Sequence, residues 1–264
     1  MKEDFTLKNY NLIDTHTHIY YHVGSPLLAE QMSRCFEYGI NKLFLPNVDV
    51  PSIKKVFETA NLYPANCFPM LGLHPCSVDM SYKENLTTIR EAFTMSKIYA
   101  IGEIGIDLYW ETSTLPLQQQ AFRIQIEWAK ELNLPIVIHC RNAFDEVFEI
   151  LDELNDEKLY GIFHCFTGNL EQANRAIKLG FKLGIGGIVT YKKAGLDQVV
   201  KNISLEDIVL ETDSPYLAPS PFRGKDNQSS YLIYIAQKIA DLHEVSIDKI
   251  AEITTDNAEK LFKI

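Results

Sequence analysis

No stretch of the 264 residues approaches the roughly 18 consecutive apolar positions that a membrane-spanning helix needs. The opening Met1-Lys2-Glu3-Asp4 lacks the basic-then-apolar layout of a secretory signal. Positive charge is in deficit: 25 Lys and Arg stand against 35 Asp and Glu, a formal net charge of -10, and no basic run breaks the mixture. The overall field therefore offers no attraction to nucleic acid or anionic lipid, and any phosphate ligand has to be held by local features such as metal ions or a few placed arginines. The cysteines Cys35, Cys67, Cys76, Cys140 and Cys165 are odd in number and contain no CxxC pair, which excludes a disulfide framework and a thiolate zinc knuckle. No Pro/Gly/Ser-rich linker, low-complexity tract or internal repeat divides the chain. The expectation is a single domain over 1–264 in a reducing cytoplasm, with no membrane association and no obligate protein partner evident.

What is present reads as an alternation of strands and helices. The 46% hydrophobic and 23% charged fractions are ordinary for a globular chain, and one of this mass buries about three quarters of its unfolded surface without staples. Short apolar or β-branched runs at 11–16, 42–46, 67–73, 99–104, 135–139, 161–164, 181–186 and 208–212 predict eight strands. Several are apolar throughout, as in Pro135-Ile136-Val137-Ile138, the pattern of strands covered on both faces. Amphipathic segments lie between them. Residues 119–132 place Phe122, Ile126 and Ala129 on one stripe, with Gln125 and Lys130 elsewhere. Residues 169–179 carry Asn169 with Gln172 three positions on and stop at Gly180, signals for both helix ends.

Eight units in 264 residues average about 33 residues, the length of a βα unit with parallel pairing. The choice lies between an open doubly wound sheet and a closed (β/α)8 TIM barrel. A dinucleotide fold needs a GxGxxG turn after the first strand, where Asp14-Thr15-His16-Thr17-His18 stands instead, and the late Gly184-Ile185-Gly186-Gly187 does not fit that fingerprint. The barrel is the better reading, with 214–229 as a long loop and helices over 231–262 closing it.

Chemistry in such a barrel belongs at the carboxyl ends of the strands, and the metal-capable residues fall there. His16 and His18 end the first strand, Glu103 the fourth, His139 the fifth, His164 the sixth and Asp213 the eighth; four of the seven histidines are in this set, and His74 follows the third strand. Residues two apart on a strand share a face, so His16 and His18 can reach one ion, and Asp14 has the parity to orient one of their rings. Each residue alone has a plainer account. The HxH pair could be two hydrogen-bonded histidines, Glu103 could be ion-paired inside the barrel, and Asp213 could cap a turn. Five strands each ending in a ligand type by coincidence is a poor account of all of them, so a metal site is expected. Six ligands without thiolate exceed the four of a closed structural zinc site and suit two divalent ions, with Zn, Mn, Ni or Co more natural than Mg for the histidine-rich side. Cys140 and Cys165 each follow a ligand histidine and read as small core thiols on the opposite face. Arg141 and Arg223 carry guanidinium forks suited to phosphate or carboxylate oxygens, or else to one of the 35 acids.

Six ordered blocks then carry a resemblance over nearly the whole chain: Ile13-Asp14-Thr15-His16-Thr17-His18, Gly72-Leu73-His74-Pro75, Gly102-Glu103-Ile104-Gly105-Ile106-Asp107, Pro135-Ile136-Val137-Ile138-His139, His164-Cys165-Phe166-Thr167-Gly168, and Glu211-Thr212-Asp213-Ser214-Pro215-Tyr216-Leu217-Ala218-Pro219. With the closing Asn257-Ala258-Glu259-Lys260-Leu261-Phe262, the sequence resembles the TatD family of metal-dependent deoxyribonucleases. The resemblance implies an amidohydrolase-type barrel in which His16, His18, Glu103 and Asp213 hold one ion and Glu103 bridges to a second held by His139 and His164. The family's loop usually reads Arg-Gly-Lys-Arg-Asn-Glu-Pro; here it is Arg223-Gly224-Lys225-Asp226-Asn227-Gln228-Ser229, with an acid where a base is usual, a change that bears on substrate grip and loop rigidity.

The activity so implied is hydrolysis of DNA phosphodiester bonds, from a strand end, by a metal-activated water. Asp213 would take the water's proton beside Glu103, and His74 or Arg141 would stabilise the developing phosphate charge, with Arg223 as a further substrate contact. The alternatives keep the metal and change its use: a hydrolase of a small ester, amide or phosphate ester, or a non-catalytic metal-containing scaffold. Relatives of the class with other substrates often bridge their metals through a modified lysine, and Glu103 in that place tilts the reading toward the nuclease.

Overall fold

The computed structural model describes residues 10–264, so the opening Met1-Lys2-Glu3-Asp4 lies outside the described residues. Eight strands form where the apolar runs predict them: β1 (Leu12–Asp14), β2 (Ile40–Pro46), β3 (Cys67–Met70), β4 (Ile101–Asp107), β5 (Ile136–Arg141), β6 (Gly161–Phe163), β7 (Phe181–Ile185) and β8 (Ile208–Leu210). They are parallel and pair in chain order, β1 to β3 and β4 to β8. Two seams close the ring. Tyr99 N donates to Pro69 O at 2.9 Å and Gly102 N to Leu71 O at 3.0 Å, joining β3 to β4; Thr15 N donates to Leu210 O at 2.9 Å and Asp213 N to His16 O at 2.9 Å, joining β8 to β1. The result is the (β/α)8 barrel.

Helices α1 (Pro26–Glu37), α2 (Val50–Leu62), α3 (Tyr82–Ala92), α4 (Leu115–Leu132), α5 (Phe144–Leu154), α6 (Leu170–Lys178), α7 (Leu196–Lys201), α8 (Leu232–His243) and α9 (Ile247–Phe262) follow the strands. The end signals of α6 are realised: Asn169 accepts from Gln172 N at 2.9 Å while the Gln172 side chain accepts from Asn169 N at 2.9 Å. The α4 stripe is as predicted, but Gln125 is not on a polar face. It is buried and double-bonded to the backbone of Leu73, accepting from Leu73 N at 2.6 Å and donating to Leu73 O at 3.3 Å. A buried loop has unpaired peptide groups to satisfy, and an amide side chain satisfies a donor and an acceptor at once. Among the described residues no helix is long and apolar enough to cross a membrane.

Strand alternation divides the apolar residues into two cores. Leu43, Leu45, Ile136, Ile138, Leu183 and Leu210 point outward beneath the helices. Ile13, Phe44, Phe68, Val137, Ile162 and Val209 point inward and fill the lower barrel, where Ala258, Leu261 and Phe262 of α9 plug the amino end. Phe262 stacks on Phe44 with ring centroids 3.7 Å apart. The closing sequence block thus has a structural account: Asn257 donates to the carbonyls of Leu205 and Ile208, each at 2.8 Å, and Glu259 pairs with Lys42 at 2.6 Å.

Parity also sets the floor of the upper barrel. His139 stands two residues beyond Val137, His164 two beyond Ile162, and Glu211 two beyond Val209, so each polar side chain rides directly above an inward apolar one. β4 breaks the pattern with a register irregularity between Ile101 and Ile104. It lets both Ala100 and Glu103, an odd number of residues apart, face inward. Such irregularities re-aim side chains next to functional sites.

Replacing Asn257 by alanine removes its hydrogen bonds to the carbonyls of Leu205 and of buried Ile208. The expected cost is about 1–3 kcal/mol, read as a lowered urea midpoint in equilibrium unfolding, with metal content at saturation unchanged.

Candidate metal centre

The six side chains that the strand-end rule singles out converge at the carboxyl end of the barrel. Glu103 is buried, and its two oxygens face different partners. Oε2 lies 3.2 Å from His16 Nε2 and 4.0 Å from His18 Nε2. Oε1 lies 2.7 Å from His139 Nδ1, 3.3 Å from His74 Nε2 and 3.6 Å from His164 Nε2. Asp213 Oδ1 sits 3.4 Å from His18 Nε2 and 3.8 Å from both His16 Nε2 and His164 Nε2. Three donor groups therefore share one small region: His16, Glu103 and His164; His16, His18 and Asp213; and His74, Glu103 and His139.

These groups fit divalent cations on a physical ground. Both ring nitrogens of His16 are buried without a hydrogen-bond partner, and the ring stacks on His164 with centroids 3.4 Å apart. Two stacked buried imidazoles cannot both carry charge, and neutral imidazole with an unused lone pair is a metal ligand. Burial, reinforced by the charge of His164, holds His16 below the ordinary histidine range. Burial works against an ionised Glu103, yet its interactions with the surrounding imidazoles of His74, His164, His16 and His139 keep its carboxyl well below the carboxylate range. Asp213 behaves alike: burial opposes its charge, and the hydrogen bond to His18 with the charge of His164 holds it down. Both carboxylates are thus ionised at neutral pH and call for cations.

Two acids that the strand-end reading left without a role orient the histidines. Asp107 Oδ2 is 2.8 Å from His139 Nε2, which leaves Nδ1 to face Glu103. Glu211 Oε1 is 2.9 Å from His164 Nδ1, an ion pair that leaves Nε2 to face the cluster. A carboxylate on one ring nitrogen fixes the tautomer and raises the basicity of the other. Burial disfavours a charged His164, but the carboxylates of Glu211 and Glu103 raise its pKa to about 10. Gly184 makes room for this arrangement, since a Cβ there would lie 2.2 Å from Glu211 Oε2. The signal was in the even spacings Glu103 to Asp107 and Glu211 to Asp213, which put each pair on one face. On the other side, His18 Nδ1 meets the Tyr20 hydroxyl at 2.9 Å.

Asp14 does not orient a histidine ring. Its carboxylate accepts from Thr212 N at 2.9 Å and Thr212 Oγ1 at 2.6 Å, and so ties β1 to β8. Nor is Cys165 a core thiol. Its backbone turns left-handed (φ 44°) directly after β6, the strand alternation ends there, and the half-buried side chain lines the cavity. Cys140 is buried as expected.

The centre opens into a cavity of about 900 Å³, lined by His18, His74, Glu103, His139, His164 and Asp213 together with Tyr21, Trp110, Arg141 and Tyr216. The Cys76 N–H donates to His74 Nδ1 at 3.1 Å, so the proton of neutral His74 resides on Nε2, which faces Glu103 and His139. Arg141 lines this cavity with its guanidinium 4.0 Å from the centroid of Tyr109. Arg223 is exposed over the Tyr191 ring and is not among the cavity-lining residues. Among the described residues neither arginine lies within salt-bridge distance of an acid. The loop stays anchored despite its unusual residues: buried Asn227 donates to Thr212 O at 2.7 Å and Tyr216 O at 2.6 Å, and Ser229 Oγ donates to Thr17 Oγ1 at 2.9 Å.

Comparison with known proteins agrees with this architecture. The family model described as TatD related DNase matches residues 13–263. The uncharacterized metal-dependent hydrolase YabD of Bacillus subtilis strain 168 is 41% identical over 255 residues, covering 96% of this chain and 99% of the relative. The 3'-5' ssDNA/RNA exonuclease TatD of Citrobacter rodentium is 31% identical over 241 residues, covering 89% of this chain and 91% of its own length. Among solved structures, YjjV, a TatD homolog from Escherichia coli K12, superposes with a TM-score of 0.89 at 27% identity, covering 97% of this chain and 100% of that one.

Two outcomes are expected at this centre. Glu211→Gln weakens Zn or Mn binding by about 10- to 100-fold in calorimetric titration, because His164 loses the partner that fixes its tautomer. Metal at about 100 times its Kd stabilises the fold by about 2.7 kcal/mol, seen as a raised thermal midpoint that a chelator reverses.

Proposed function

The chain belongs to the TatD related DNase family, a family of metal-dependent hydrolases, and we propose that it hydrolyses phosphodiester bonds of DNA. The observation that carries this reading is the division of Glu103, whose Oε2 faces His16 and His18 while Oε1 faces His139, His74 and His164. A carboxylate presented in this way suits a bridge between two divalent ions, one held with His16, His18 and Asp213, the other with His139 and His164. Bound there, Zn, Mn, Ni, Co or Mg would polarise a phosphoryl oxygen and lower the pKa of water toward neutrality.

The chain's own groups supply the rest. Asp213, ionised and partly open to the cavity, accepts the proton of the attacking water at Oδ1. His74 presents Nε2–H toward the cluster and donates to a non-bridging phosphoryl oxygen as negative charge builds. Arg141, free of carboxylate partners among the described residues, offers its fork to the phosphate at the cavity edge. Arg223, outside the cavity, could touch only a longer strand.

The test uses end-labelled single- and double-stranded DNA at low salt, with apo-protein reloaded separately with Zn, Mn, Co and Mg. Metal-dependent shortening of the label is expected, lost by about 100-fold or more in His139→Ala, while circular dichroism shows that variant folded. Turnover of small carboxylic esters or amides with no cleavage of DNA by metal-loaded protein would overturn the nuclease reading.

A further inference from the structure

The largest apolar side chain on the cavity rim is Trp110, 69% exposed, and Tyr109 beside it is 53% exposed. The backbone beneath them is pinned from several directions. Asp107 Oδ1 accepts from Tyr109 N at 2.9 Å and from Trp110 N at 2.7 Å. Buried Gln118, from α4, accepts from Asp107 N at 2.9 Å and donates to Glu111 O at 2.9 Å and Thr114 Oγ1 at 3.0 Å, holding both ends of the loop. The two rings meet edge to face at 4.8 Å, and the Arg141 guanidinium lies over both, 4.0 Å from Tyr109 and 5.5 Å from Trp110.

The placement relative to the centre is fixed by the same carboxylate. Asp107 holds the loop amides with Oδ1 and His139 Nε2 with Oδ2, so one side chain couples the aromatic platform to a residue of the metal centre. Arg141 is two residues beyond His139 on β5, about 6.6 Å along the strand, a separation comparable to that between a phosphodiester and the base of its nucleotide. We propose that Trp110, with Tyr109 and Arg141, forms a subsite that stacks an unpaired nucleobase of the substrate strand while its phosphate lies at the metal centre. The subsite rests on the phosphodiesterase reading above.

The chemistry commits the subsite to a base. A flat, exposed indole on an anchored backbone offers its π-face to any nucleobase, irrespective of sequence, and the neighbouring guanidinium adds a charge complementary to the phosphate. A paired base is already stacked within its helix and cannot present a free face to an aromatic ring at a cavity rim. The platform therefore selects frayed or single-stranded ends. In a protein of net charge -10 such short-range contact stands in for the basic groove that nucleic-acid binders commonly use.

The test measures fluorescence anisotropy of a labelled ten-nucleotide single strand with phosphorothioate linkages, binding to metal-loaded protein. Trp110→Ala is expected to weaken binding by about ten-fold or more and Trp110→Phe by much less. Abasic residues at both strand ends should weaken binding to the unsubstituted protein by a similar factor, yet cost little more in Trp110→Ala, as coupled partners do. Equal affinity of Trp110→Ala and the unsubstituted protein would overturn the subsite. So would an abasic penalty of the same size in both, or no binding of the strand at all. Hydrolysis of bis(4-nitrophenyl) phosphate, which has no nucleobase, by the unsubstituted protein judges the phosphodiesterase reading separately. Positive hydrolysis with a silent Trp110 would sink the subsite alone, and no hydrolysis of this diester or of DNA would sink the reading beneath it.

Discussion

A carboxylate buried at the centre of a barrel must be met by positive charge or by donors, and Glu103 is met by imidazoles. Four of them approach within 3.6 Å. Without a cation the cluster has to carry protons to balance Glu103 and Asp213, and the stacked His16 and His164 cannot both do so. Divalent ions remove that conflict, since they neutralise the carboxylates and use imidazole lone pairs that otherwise have no partner. The surrounding structure follows from this need. Asp107 and Glu211 turn two rings so that the free lone pair faces inward, and Gly184 leaves the volume that Glu211 occupies.

The barrel supplies the positions through strand parity. His139, His164 and Glu211 each stand one inward step above an apolar side chain, so the polar layer and its hydrophobic floor are built by the same backbone alternation. Below that floor the aromatic contacts of Phe44, Phe68 and Phe262 close the amino end, where polar groups would have neither water nor one another. Glu103 departs from simple alternation. The register irregularity in β4 lets its side chain face into the ring between strands that keep theirs.

How much of this could be read from sequence depended on whether a residue's surroundings were implied by its own strand. His16, His18, His139, His164 and Asp213 were legible because each follows a short apolar run, and a run that ends in a ligand type is an unusual pattern on four strands. Their strand numbers and order were legible for the same reason. Asp107 and Glu211 were not, although they stood in the quoted motifs, because an acid near a strand end looks like a turn cap until the histidine facing it is known. Gln125 was hidden by helix periodicity, which reads an amide off the apolar stripe as solvent-facing, because its partner is a loop peptide 52 residues away; Gln118 falls just before the predicted helix and bonds the loop that leads into it. Asp14 was misread for a related reason. Parity places it on the face of His16 and His18, but its neighbour Ile13 fills the barrel interior, and Asp14 turns instead to Thr212, just beyond β8 and 198 residues away.

The unusual loop illustrates how the same chain can change a surface and keep a scaffold. Asp226 is exposed, whereas the adjacent Asn227 is buried and bonds the carbonyls of Thr212 and Tyr216, one residue before and three after Asp213. Anchoring thus rests on an amide beside the acid rather than on the acid. Ser229, through Thr17, ties the loop to the strand that carries His16 and His18, and Gln228 accepts from Arg34 of α1 at 3.0 Å. With the ends held, the charge at position 226 is free to vary without moving Asp213. Whatever the charge at position 226, the cavity keeps its own cation and aromatic groups, Arg141, Trp110, Tyr21 and Tyr216, beside the imidazoles and carboxylates of the centre.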